Sequence, residues 1–140
     1  MIRNRLKNGF LMLFTGTVLG LAFWLEPDGR GIGTHEQLGL SPCGFMEITE
    51  IPCPMCGMTT TFTLLAHVEL WKGIQNQPFG FVLFILTVFI FVVSTLEVFF
   101  PRDRFNKLLQ HIQPNEFRWI RVLILGLIIS WIYKIIVFLF

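Results

Sequence analysis

The run FGFVLFILTVFIFVVSTLEVFF, residues 79–100, decides the fold, because only Thr87, Ser94, Thr95 and Glu97 interrupt its apolar character. As a helix its 22 residues rise ~33 Å, enough to cross the ~30 Å hydrocarbon core of a bilayer. It is predicted to be a transmembrane helix, ended by Pro101. Residues 119–140 form a second apolar run of the same length, with Arg121 near its start and Lys134 near its end. Lys134 is expected to snorkel past Trp131 and Tyr133 to the interface, acting as an anchor.

Toward the N-terminus, residues 10–25 are uncharged and follow Arg3, Arg5 and Lys7. Sixteen helical residues rise ~24 Å, so flanking residues must join or snorkel for this segment to span. A cleavable signal peptide is the rival reading. Phe23 and Trp24 continue the apolar run and Pro27 offers a stop, which favours a retained span. Gly16 and Gly20 make a G-x-x-x-G of the kind that brings membrane helices together, a spacing frequent enough to arise by chance.

Composition agrees with a lipid environment. The chain has 140 residues, of which 54% are apolar, 16 are Phe and only 14% are charged. A water-soluble domain of this size cannot bury so much apolar surface. The net charge of +2 gives no reason to expect nucleic acid; the lipid bilayer is the expected partner. The placement of the cations matters more. Arg3, Arg5 and Lys7 precede the first span, and Arg102, Arg104, Lys107, Arg118 and Arg121 lie around the start of the third. Residues 26–78 carry only Arg30 and Lys72 against six acidic side chains. By the positive-inside rule the N-terminus is cytoplasmic and the segment between the first two spans faces outward.

The reading is therefore an all-α integral membrane protein: one membrane domain over residues 1–140, with spans at about 10–25, 79–100 and 119–140. An outward cysteine loop covers 26–57. Residues 58–71 read as a further helix, starting after Gly57 and closing before Gly73, Asn76 and Pro78. Fourteen residues reach only ~21 Å, and a span here would put the later basic segment outside. An interfacial or half-inserted helix is expected instead.

Chemistry concentrates in the loop. Cys43 is followed by Pro52-Cys53-Pro54-Met55-Cys56-Gly57, a C-x-x-C on a proline-stiffened turn that leads into a helix. An N-terminal helix position favours a thiolate, so Cys56 is expected to have a lowered pKa. Three readings compete. Cys43, Cys53 and Cys56 with His35 make the donor set of a tetrahedral zinc site, and a softer version would hold Cu(I) with help from Met46, Met55 or Met58. Cys53 and Cys56 could instead cycle between dithiol and disulfide, with Cys43 as exchange partner. Third, the thiols simply staple a glycine-rich loop.

Two neighbouring features carry less. His67 lies eleven residues past Cys56, ~16 Å along a helix, and cannot share an ion with it. Thr60, Thr63 and His67 fall on one helix face opposite Leu64, Val68 and Trp71, which reads as a solvated or inter-helix face. No nucleotide fingerprint, Ser-His-Asp arrangement or paired carboxylates occur, so an accessory role is favoured over an enzyme.

The core Pro52, Cys53, Pro54, Cys56, Gly57, Thr59, with Cys43 upstream and residues 76–78 before the next span, resembles small bacterial membrane proteins grouped as domain of unknown function 2752. The resemblance implies a bacterial inner-membrane location and a multi-pass fold; it carries no mechanism, since the family has no established activity. Many such proteins carry Arg after the Thr, where this chain has Thr60. Three spans are too few to enclose a transport path alone, so a pore would need a membrane-complex partner or self-association.

Overall fold

The computed structural model describes residues 2–100 and 116–139, and these are helical with no strand among them. Pro101, Arg102, Arg104, Lys107 and Phe140 lie outside the described residues, as does the side chain of Arg3. In chain order the helices are α1 (Ile2–Trp24), a 3-10 helix (Thr34–Leu38), α2 (Gly44–Thr49), α3 (Met58–Ala66), α4 (Leu70–Asn76), α5 (Pro78–Phe99) and α6 (Glu116–Leu139).

Three of these are long and apolar enough to cross a membrane: Arg5–Trp24, Pro78–Phe99 and Phe117–Leu139. The first is longer than its uncharged run because Arg5, Lys7 and Asn8 join the helix, which supplies the missing length. Most residues of each span face outward from the protein, as expected where lipid is the solvent.

α1 and α5 run antiparallel. Arg5 reaches the carbonyl of Val98 at one end, and Gly16 meets Phe91 along the way, where a Cβ would stand 3.0 Å from the ring. Gly20 has open space where its Cβ would be, so half of the G-x-x-x-G serves close packing. α6 touches the start of α5: Ser130 Oγ accepts from the Phe79 amide at 3.2 Å, an amide in the first turn with no partner within its own helix. The end of α1, the start of α5 and the C-terminal half of α6 thus share one end of the bundle, and the loop residues pack there.

The expected helix at residues 58–71 is two helices. α3 ends at Ala66, where Val68 takes a left-handed φ of 65°. Its amide bonds to Leu65 O and that of Glu69 to Leu64 O, at 3.1 and 2.8 Å. This is the Schellman closure, which ordinarily places glycine where Val68 stands. Val68 and Trp71 are consequently exposed while Leu64 is buried, so the expected apolar face does not continue past the break. α3 itself packs against α1, α4 and α5, with Thr60, Thr61 and Thr63 fully buried. Its threonine face is an inter-helix face.

Candidate functional site

The site is built on a tight turn. The Cys56 amide donates to Cys53 O at 3.0 Å and the Met58 amide to Met55 O at 3.1 Å. Gly57 then adopts φ 89° as the N-cap of α3. Any Cβ there would lie 2.7 Å from Gly31 O, so both conformation and space demand glycine. Cys43 is the N-cap of α2, and after Thr49 the chain reverses at Glu50, φ 58°. That reversal brings Cys43 back over the turn. The sulfurs of Cys43, Cys53 and Cys56 all lie within 4.8 Å of one another, and none is joined in a disulfide.

The three thiols are not equivalent. Burial pushes the Cys56 thiol up to about 12, with the Cys53 and Cys43 sulfurs adding to the effect. The Met46 amide beside Cys43 holds that thiol below its ordinary value, with Cys56 contributing. The expected assignment is thereby corrected. The lowered thiol is Cys43 at the start of α2, because at Cys56 desolvation outweighs any gain from the start of α3.

An open cavity of about 640 Å³ adjoins the sulfurs, with His35, Met46 and Met58 also in its wall. His35 does not belong to the group of donor atoms that converge within 4.8 Å. It rides on the 3-10 helix, whose place is fixed by Thr34. The Thr34 hydroxyl pairs with that of Thr60 at 2.8 Å and accepts from the Asp28 amide at 3.1 Å. Arg30 bridges Asp28 at 2.7 Å and Glu36 at 3.0 Å on the cavity rim, and this guanidinium holds the Asp28 carboxyl below its usual range.

Below the turn, its carbonyls are taken up by side chains from later helices. Trp131 Nε1 donates to Pro52 O at 2.8 Å, Gln77 Nε2 to Pro54 O at 2.9 Å, and Asn76 Nδ2 to Gly57 O at 3.1 Å. Asn76 Nδ2 also reaches Thr61 Oγ1 at 2.9 Å, and the Tyr133 hydroxyl donates to Gln75 O. Lys134 does not snorkel outward. It turns in, 6% exposed, and donates to Asn76 Oδ1 at 2.6 Å and to Gly31 O and Asn76 O at 3.3 Å. The anchor reading fails because neutral oxygens inside the fold replace the water an outward lysine would seek.

His67 stands apart from the sulfurs, as its distance along the chain requires. Its ring stacks on Phe23 with centroids 5.7 Å apart, and Nε2 lies 3.2 Å from Leu25 O. What sequence reasoning missed is the hydrogen bonding of Asn76, Gln77 and Trp131 to the cysteine turn. An Asn-Gln-Pro stretch before a span and a tryptophan inside a long apolar helix are ordinary enough to hide this.

No curated protein and no solved structure matches the chain. The model of a family described as protein of unknown function (DUF2752) matches residues 43–91, a segment that begins at Cys43 and holds all three cysteines but neither His35 nor Lys134. Over that segment, about a third of its length, the chain is similar to the DUF2752 family.

Proposed function

We propose that the protein is an accessory component of the bacterial cytoplasmic membrane whose outward loop holds a thiophilic metal ion on Cys43, Cys53 and Cys56. The observation that carries this reading is the convergence of three unbonded sulfurs within 4.8 Å. Sulfurs around a tetrahedral zinc stand about 3.7 Å apart. A disulfide would draw two of them to about 2.05 Å and leave the third without a role. His35, in the wall of the same cavity, is the candidate fourth donor if the 3-10 helix moves inward; water is the alternative. The basic residues flanking the first and third spans support a cytoplasmic N-terminus and an outward loop. Here the ion closes a loop with little apolar core of its own, making a rigid cap suited to a membrane-complex partner or a second copy of the chain.

A second reading, thiol redox, draws on the contrast between the lowered Cys43 thiol and the raised Cys56 thiol. Both are tested by elemental analysis and thiol counting on the full chain purified in mild detergent without reductant. About one zinc or copper per chain, with three thiols titrating after denaturation in chelator, supports the metal site, and Cys43→Ser or Cys53→Ser should abolish the metal. One thiol and no metal would overturn it in favour of a disulfide.

A further inference from the structure

Lys134 is a buried cation whose hydrogen-bond acceptors, Asn76 Oδ1, Asn76 O and Gly31 O, are all neutral. The ion pairs among the described residues lie elsewhere, at Arg30 with Asp28 and Glu36 and at Lys72 with Glu69. A buried ammonium without a counter-charge is costly. The turn that carries Cys53 and Cys56 lies directly against it. A Cβ on Gly57, the residue after Cys56, would stand 3.2 Å from Lys134 Nζ.

The charge sum is specific. Three thiolates and a divalent ion leave one negative charge, and one ammonium cancels it. A monovalent ion on three thiolates would leave two. Arg30 on the rim is already matched by Asp28 and Glu36, and Glu47, also on the cavity wall, is exposed to solvent.

We propose that Lys134 is the counter-cation of a divalent three-thiolate centre, a charge delivered by the third span to the underside of the cysteine turn. This rests on the metal reading above. Lys134 is a positioning residue that touches no ion. It lowers the free energy of the loaded state and burdens the empty one.

The test uses the full chain in detergent, Cd²⁺ as probe and chelator competition to read affinity, with Lys134→Gln and Lys134→Arg. Gln keeps hydrogen-bond donors and removes the charge; Arg keeps the charge. Wild type is expected to take one Cd²⁺ per chain, and Lys134→Gln to bind it roughly 10–100-fold more weakly, the usual cost of losing a group behind the ligands. Lys134→Arg should recover most of that loss. Thermal unfolding supplies the readout that a merely structural lysine would not give: Lys134→Gln should unfold at the same or a higher temperature than wild type when metal-free, and at a lower one when loaded. Equal destabilisation of both states would overturn the proposal, as would unchanged Cd²⁺ affinity in Lys134→Gln. In the latter case the metal reading stands. Failure of wild type to bind Cd²⁺ while binding Cu(I) would overturn the divalent assignment, and failure to bind either would overturn the metal reading itself.

Discussion

The indole N–H of Trp131 on α6 donates to the carbonyl of Pro52, 79 residues earlier, at 2.8 Å. Pro52 is fully buried just before the first cysteine of the C-x-x-C turn. Trp131→Phe keeps an aromatic side chain, though a smaller one, and leaves a buried carbonyl unpaired, a loss that by itself costs about 1–3 kcal/mol. Thermal unfolding in detergent should show this loss. Alkylation of Cys53 should also accelerate, since the turn is held at that carbonyl.

Gly57→Ala tests the turn from within. At φ 89° an L-residue is strained, and the new methyl would press on Gly31 O at 2.7 Å. Strain alone costs about 1–3 kcal/mol. The expected outcome is a helical protein by circular dichroism whose three thiols no longer bind Cd²⁺ together. Full retention of binding would show that the turn tolerates another backbone conformation.

The close contact of α1 with α5 predicts a contrast between two glycines. Gly16→Leu drives a side chain into Phe91, where even a Cβ stands 3.0 Å away, and should destabilise by about 1–3 kcal/mol. Gly20→Leu meets open space and should be close to neutral. Denaturant or thermal midpoints of the two variants give the comparison directly.

The thiols predict a pH profile for the metal-free protein. Cys43 has a folded value below the ordinary 9.0. Its contribution is present above 9.0 and is lost as pH falls through the folded value. Cys56 is raised from 9.0 to about 12, so its contribution is present below 9.0 and is lost as pH rises from there toward about 12. Stability should therefore climb toward pH 9 and fall beyond it. Cys43→Ala should flatten the rising arm relative to wild type, and Cys56→Ala the falling arm.

Much of this architecture is legible in the residues. The three long helices follow from long apolar runs, the first of which reaches spanning length only with Arg5, Lys7 and Asn8. Cys43, Cys53 and Cys56 stand out because proline and glycine punctuate them. What stayed hidden depends on tertiary contact. The break after Ala66 carries no glycine or proline, only Val68 in a conformation valine rarely adopts. Lys134 sits at a helix end beside Trp131 and Tyr133, where an outward anchor and an inward cation have the same local sequence. Only the presence of Asn76 and Gly31 O across the fold distinguishes them. The contrast between Cys43 and Cys56 is likewise set by burial, which C-x-x-C spacing does not encode.

The contacts from α6 to the loop have a consequence for biogenesis. Lys134 reaches Gly31 across 103 positions of chain and Trp131 reaches Pro52 across 79. A nascent chain that has threaded only α1 and α5 into the bilayer holds all three cysteines, with Asn76 and Gln77, yet lacks the Trp131 and Lys134 that complete the seating of their turn. The bonds from Trp131 and Lys134 to the loop can form only once α6 has emerged from the ribosome and inserted, so the full seating of the cysteine turn is a late event that follows insertion of the third span.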